Sequence, residues 1–452
     1  MLGAPDHRFL ETACLMSSLN NSFAALKANL AALLFFGLPV VAHAQLEFER
    51  APINYNSAPA TDRIAKLQER LESGDAELKW DDKNGWLKSM LQTLDVPESS
   101  QALVFSRTSL QISRISPTRP RAIYFNDDIY IGWVQNGEVL ELSAVDPQLG
   151  AVFYVLDQRD SDSPKIKRDR GECLSCHASS RTKGVPGFLV RSVFPGIDGR
   201  PFFGLGTTTT DHTTPLAERY GGWYVTGQHG DMGHRGNSIA KEDQEPPIDV
   251  HRGANRDVLP KHVESDAYLH QDSDLVALMV LEHQSQMHNL ITRAQFEAKL
   301  AAHYDKTMNK VLERPEDYQS ESRQRRIISA SEKLLKYMLF CNEFSLTSPV
   351  KGTTSFQADF ESCGPKDKQG RSLRQFDLKT RMFRYPCSFL IHSDSYAALP
   401  AEIRDEVEIR LMKILRGQDQ SEDFIHLDEE TRTAILEILR DTLPGFKERL
   451  EN

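Results

Sequence analysis

The chain is expected to belong to the α+β class, with an antiparallel β-rich half followed by a helical half. Two changes of period predict this. From Ala102 to Leu156, apolar and polar residues alternate in runs rich in Ile, Tyr, Phe, Trp and Val, the pattern of half-buried strands. Beyond about Ala240 the texture changes again, and from Asp274 apolar residues recur every three to four positions over long stretches, the pattern of helices.

The elements follow in order. Thr61 is placed to cap a helix whose Ile64, Leu67 and Leu71 share one face, with Gly74 as its stop. A second amphipathic stretch covers Trp86 to Leu94. Arg121 to Val134 reads as strand, Asn136-Gly137 as a tight hairpin turn, and Val139 to Val145 as the returning strand. Asp146-Pro147-Gln148-Leu149-Gly150 is another turn, before the strand Ala151–Leu156. Strand-like segments resume at Gly187–Phe194, Pro201–Thr208 and Gly222–Thr226, and Lys241–His270 reads as irregular. Helical patterns then cover Asp274–His303, with Ser273 as N-cap, Ser322–Phe344, Ala401–Leu415 and Glu429–Leu443. The expected organisation is a leader (1–44), an N-terminal helix plus β-meander domain (45–165), a Cys- and His-bearing segment with strands (166–245) and a helical C-terminal domain (246–452).

The residues that carry chemistry are Cys173-Leu174-Ser175-Cys176-His177. Two thiols at this spacing can both add to the vinyl groups on one edge of a porphyrin, and the adjacent imidazole can take the iron. A zinc half-site would want a second cysteine or histidine pair at finger-like spacing, and no second Cys-x-x-Cys exists. A dithiol redox pair should follow a strand and open a helix, whereas Lys165–Gly171 reads as a charged loop. The pentad therefore reads as the attachment site of one covalent haem c, with Cys173 and Cys176 as thioether sites and His177 as the proximal iron ligand.

Haem of this type is joined outside the bacterial cytoplasm, which predicts an export signal. Leu30–Val41 is an apolar run after Lys27, and Ala42-His43-Ala44 is a small-x-small cleavage site, with the cut after Ala44. Met16 is an alternative start that would leave a leader from Met16 to Ala44. The run is short for a membrane span and contains Gly37 and Pro39, and no later segment is long enough to cross a bilayer. The expected location is the periplasm. A net charge of −10 disfavours nucleic acid and anionic membrane as partners. Of the cysteines left after the leader and the pentad, Cys341 and Cys363 are the expected disulfide, and Cys387, in an apolar stretch, a buried free thiol.

The pentad resembles that of c-type cytochromes. Beyond it, the chain resembles a group of secreted bacterial single-haem cytochrome c-like proteins in several stretches. These are Ser99–Gln111, Arg121–Val134, Ala144–Asp157, Gly221–Gly230, Leu278–Ala294 and Phe383–Ser393. The resemblance implies haem and export, and no particular substrate.

Function then turns on the sixth iron ligand, since a second protein ligand makes an electron carrier and an open site permits chemistry. Met232 lies in a glycine-flanked loop that could cover a haem, or it is simply an exposed loop residue. Met279, His283 and Met287 share one helix stripe, which offers His283 or Met287 to iron or fills a core with His283 bonded to a buried acceptor. His288 points to the other side of that helix. His229 and His234 could ligate iron or serve a bound oxidant, or be exposed loop residues, and His212 reads as stabilising a turn. His262, Asp266, His270 and Asp272 are close in sequence but match no specific metal site. Lys165, Lys167, Arg168 and Arg170 could pair with haem propionates or attract an acidic partner. The expected function is a periplasmic c-type cytochrome transferring electrons to a redox partner protein or small oxidant. The alternative is a haem oxidoreductase, peroxidase-like, with an open sixth position, and a third reading is a sensing module in which haem is a staple or gas detector.

Overall fold

The computed structural model describes residues 46–451, so the leader and its cleavage site lie outside the described residues. The chain is a mixed α+β structure with two antiparallel sheets. Helix α1 (Arg63–Ser73) starts from Asp62, whose carboxylate accepts from the backbone N–H groups of Ile64 and Ala65. Thr61, the expected cap, instead donates through Oγ1 to Asp146 at 3.1 Å. Gly74 closes the helix in the left-handed region at φ 81°, as its position predicts. Helix α2 (Leu87–Thr93) follows.

The large sheet is a meander in strict chain order: β1 (Ala102–Val104), β2 (Arg121–Phe125), β3 (Ile129–Trp133), β4 (Val139–Asp146), β5 (Gly150–Asp157) and β6 (Ile166–Arg168). The run expected as one strand from Arg121 to Val134 is two. Asn126 breaks it, because its side-chain oxygen accepts from the N–H groups of Asp128 and Ile129 and folds a turn there. The hairpin at Asn136 forms as expected, with Asn136 at φ 55°. The residues before the pentad are not a loop: β6 pairs Tyr154 with Arg168 and Leu156 with Ile166 at the sheet edge.

Helix α3 (Leu174–His177) is one turn holding most of the pentad. Strands β7 (Val190–Val193) and β8 (Thr207–Thr210) form the small sheet, shorter than the expected segments. Gly222–Thr226 makes isolated bridges, not a strand. The irregular stretch is followed by α4 (Leu275–Val311), about 55 Å long. Its N-cap is Asp274, which accepts from Val276 and Ala277; Ser273 instead donates to the Tyr224 carbonyl and accepts from the Leu103 N–H of β1. After it come α5 (Glu321–Met338), α6 (Phe356–Ser362), α7 (Asp394–Ala397), α8 (Ala401–Leu415), α9 (Glu429–Thr442) and α10 (Phe446–Glu451).

Helix α4 organises the molecule. Every residue from Leu275 to Asn289 is buried, and the helix touches β5 and β7 as well as α5, α6, α7 and α8. Such a helix must satisfy its own polar side chains inside the protein. Glu282 takes Arg219, His283 takes His212 and Ser388, and Gln284 donates to the Asn126 carbonyl. From Phe48 onward the described residues form one compact unit. Among them, no helix is long and apolar enough to cross a membrane.

Cys341, Cys363 and Cys387 are all unpaired, which overturns the expected Cys341–Cys363 bond. Cys341 is buried just beyond α5, while Cys363 is exposed at the end of α6, where its thiol donates to the Asp359 carbonyl at 3.3 Å. Cys387 is fully buried, as its apolar setting predicts, and burial pushes its thiol up to about 12.

Candidate cofactor cavity

The pentad opens onto a cavity of about 420 Å³, within the range of small-molecule and cofactor sites. One face of the large sheet supplies Ile123, Tyr130, Ser143 and Phe153. Helix α3 and its flanks supply Cys173, Cys176 and His177 on one wall. Val190 and Arg191 of β7, Trp223, and Leu281 and Ser285 of α4 complete the lining.

Local bonds set the pentad's geometry. The N–H groups of Cys176 and His177 both donate to the Cys173 carbonyl, at 3.2 and 3.0 Å, which brings the three side chains to one end of the cavity. His177 Nδ1 lies 2.9 Å from the Gly187 carbonyl, an atom that can only accept, so Nδ1 carries the proton and Nε2 keeps its lone pair. The Gly187 N–H donates in return to the His177 carbonyl at 2.8 Å. Phe153 packs against the imidazole with ring centres 4.8 Å apart. Burial holds His177 below the usual histidine range, so the ring is neutral at neutral pH.

Both thiols are free. Burial, reinforced by Asp169 and Glu141, pushes Cys173 up to about 12. The strand β6 does precede the pentad and a helix does open on it, so the context expected to separate it from a dithiol redox pair is absent. Burial beside Asp169 and Glu141 disfavours the Cys173 thiolate, whereas a redox cysteine is held as thiolate by an electropositive setting.

The cavity's charges were not found from the sequence. Arg121 on β2 and Glu141 on β4 form a largely buried ion pair at 2.6 Å, close enough to act on both His177 and Cys173. Arg191 is half-buried and donates to Thr207 Oγ1 at 3.3 and 3.2 Å; Arg181 is exposed at the margin. Neither has a carboxylate partner among the recorded ion pairs, so the cavity presents two cations able to take an acid's oxygens. The cations expected in this role are elsewhere. Lys165, Lys167, Arg168 and Arg170 do not line the cavity; Lys167 pairs with Asp157 and Arg168 donates to the carbonyls of Ala58 and Tyr55. The signal for Arg191 was its position on a strand face, and no sequence pattern reveals which cavity that face closes.

The sixth-ligand candidates are not brought to the pentad. His283, Met287 and Met232 are all buried and none lines the cavity. On α4 the lining residues are Leu281 and Ser285, and the Met279–His283–Met287 stripe lies on another side of the helix. His283 stacks on Phe340, and its ring nitrogens lie 2.8 Å from His212 Nδ1 and Ser388 Oγ, so this buried neutral imidazole donates to one buried partner and accepts from the other. His212 sits in the turn from Asp211 to Thr214, as expected, but its ring is buried and stacked on Tyr337. His229 and His234 are buried as well, with ring centres 4.9 Å apart, contrary to an exposed loop, and neither reaches the cavity. His262 bonds to Tyr224 Oη, and Asp266 accepts from Gln271. Among the described residues no group of three or more His, Cys, Asp or Glu is arranged to hold a metal ion.

The residues at the cavity fit a c-type haem: two free thiols on one wall, an imidazole whose Nε2 is free, apolar aromatic sides and unpaired arginines for carboxylates. Comparison with family models, curated proteins and solved structures gives no match.

Proposed function

We propose that this chain is an exported haem protein carrying one covalent haem c, with Cys173 and Cys176 as its anchors and His177 as its proximal ligand, and that its sixth coordination position is open. The observation that carries the reading is the lining of a single cavity by all three pentad side chains, with no second histidine and no methionine or lysine among the lining residues. An electron carrier would draw a second ligand from His283, Met287 or Met232, and these pack elsewhere; the cavity therefore favours a haem oxidoreductase acting on a small oxidant over a six-coordinate cytochrome.

When bound, haem supplies one-electron redox chemistry and a place for a small ligand. The protein's own residues do the rest. Gly187 holds the His177 tautomer, Phe153 and Tyr130 keep water from the buried side, and Arg181 and Arg191 offer donors to propionates. The Arg121–Glu141 pair supplies a fixed positive and negative group inside the cavity, able to orient a polar oxidant. Export to the periplasm, through a leader ending at Ala44, belongs to the same proposal because haem c is attached there.

Expression in cells competent for cytochrome assembly tests this. The expected product is coloured, carries added mass that is lost in Cys173→Ser/Cys176→Ser, and has a high-spin spectrum that changes when the reduced protein binds carbon monoxide. A colourless product of unmodified mass overturns haem attachment. A coloured, low-spin product inert to carbon monoxide overturns the open position and restores electron carriage.

A further inference from the structure

A second cavity of about 450 Å³ is lined by Phe125 and Gln284, both of which contact Tyr130 of the pentad cavity. Its walls are apolar: Leu91, Val96, Phe125, Phe356 and Phe360. Its charge is one-sided, with four carboxylates (Asp95, Asp127, Asp128 and Asp359) against two guanidinium groups (Arg63 and Arg374). Both guanidinium groups are already engaged. Arg63 is shared between Asp95 at 2.8 Å and Asp128 at 3.4 Å, and Arg374 bonds Asp127 while stacking over Phe360 with 4.7 Å to the ring centre. Asp359 is held only by neutral donors, the hydroxyls of Ser99 and Ser355. Negative charge is therefore in excess, beside aromatic faces that attract cations.

We propose that this cavity binds a small organic cation, an ammonium group carried on an aromatic or apolar body. The carboxylate excess selects the charge and the phenylalanine walls take the body. A neutral or acidic molecule of the same shape gains the walls without the charge, or loses against it.

The site has a defined place in the molecule. Gln284 lines it and donates through Nε2 to Tyr130 Oη at 2.8 Å, and Phe125 lines it and stacks on Tyr130 with ring centres 6.4 Å apart. Tyr130 lines the pentad cavity. One layer of side chains thus separates the bound cation from the proposed haem pocket, and from Tyr130 the aromatic contacts continue through Phe188 and Phe153 to His177, at 4.3, 6.2 and 4.8 Å. The cation site would accordingly serve the reading given above, but its test does not depend on it.

The probe is phenethylammonium, set against 2-phenylethanol and 3-phenylpropionate, titrated calorimetrically into the full-length purified protein. The expected result is saturable binding of the ammonium probe, with both comparison compounds at least ~10-fold weaker. Asp95→Asn/Asp128→Asn should weaken the ammonium probe about 10-fold and leave 2-phenylethanol within about 2-fold. Cys363 lines this cavity and is exposed, so the bound probe should also slow its modification by a thiol reagent in the unaltered protein, a readout that needs no variant. Equal affinity for the neutral compound, no saturable binding, or a Cys363 rate indifferent to the probe overturns the proposal. A colourless protein that still binds the ammonium probe would sink the haem reading and leave this one standing.

Discussion

Gly187 gives both of its backbone polar groups to His177: its carbonyl takes the imidazole Nδ1 proton at 2.9 Å and its N–H reaches the His177 carbonyl at 2.8 Å. The glycine is held from behind by α4, where Asn289 accepts from the Phe188 N–H at 2.8 Å and donates to the Phe188 carbonyl at 2.7 Å. The orientation of the pentad imidazole is thus set by a residue more than a hundred positions away in sequence.

That clamp leaves no room for a side chain at Gly187. A Cβ there would lie 2.1 Å from Asn289 Oδ1, so Gly187→Ala must push apart a buried, fully bonded pair. The expected cost is about 1–3 kcal/mol, read as a lower urea midpoint. Gly171→Ala, where a Cβ meets nothing within 4 Å, is the control and should stay within about 0.5 kcal/mol. Equal midpoints for the two variants would contradict the clamp.

The Arg219–Glu282 pair beneath α4 is the most buried ion pair among those recorded, with side chains 3% and 0% exposed and an N–O distance of 3.0 Å. Tyr220 adds a hydroxyl donor to the same carboxylate. Glu282→Gln leaves the guanidinium in the core without a countercharge and should cost about 3–5 kcal/mol in denaturant unfolding. Arg219→Met/Glu282→Leu, which removes both charges, should recover part of that loss; a double variant worse than the single one would refute the explanation.

Acid should weaken the fold through its buried histidines. Burial holds His288 down at about 4 and His234 at about 3, against 6.5 for a free histidine. Between those values and 6.5 the unfolded chain binds protons that the folded chain refuses, so the stability present above pH 6.5 is lost as pH falls through that window. His288 alone accounts for about 3 kcal/mol once the fall is complete. Its Nε2 donates to the Asp127 carbonyl and its ring edges onto Phe188 and Tyr130, and burial there outweighs that hydrogen bond and the nearby Asp127 charge, the two influences that favour a second proton. Urea midpoints from pH 7 to 4 should show a shallower decline for His288→Gln than for the parent; identical slopes would exclude His288 as a source.

Thiol reactivity should follow exposure. In haem-bearing protein a thiol reagent is expected to modify Cys363 readily and to reach Cys341 and Cys387 only on unfolding, since those two are buried. Peptide mass mapping before and after denaturation reads this directly. Rapid modification of Cys387 in the native protein would contradict the packing of its segment.

Much of the fold was legible locally. Asn136-Gly137 made its hairpin, Gly74 its helix stop, and Ala401–Leu415 its helix at the expected residues, because turn chemistry and the 3.6-residue period act over a few neighbours. The errors were of partner choice. Thr61 and Ser273 are good caps by type, yet each bonds a distant strand residue or backbone, and the neighbouring Asp62 and Asp274 cap instead. Asn126 divided one apparent strand into two because a single side chain can replace a backbone partner.

What the amino-acid order alone determined is the α+β class and the pentad, with its two thiols and an imidazole one residue on, since covalent spacing needs no folding to be read. Tertiary structure decided everything that depends on which surfaces meet. It enclosed the pentad between the meander, β7 and α4, chose Arg121, Glu141 and Arg191 as the cavity's charges, and turned the Met279–His283–Met287 stripe away from it. The physical reason is that a periodic pattern says which residues seek burial but not against what. On a helix buried all round, from Leu275 to Asn289, apolar and polar residues are mixed on every side with no solvent face to orient it, and only packing assigns one side to the cavity and another to the core.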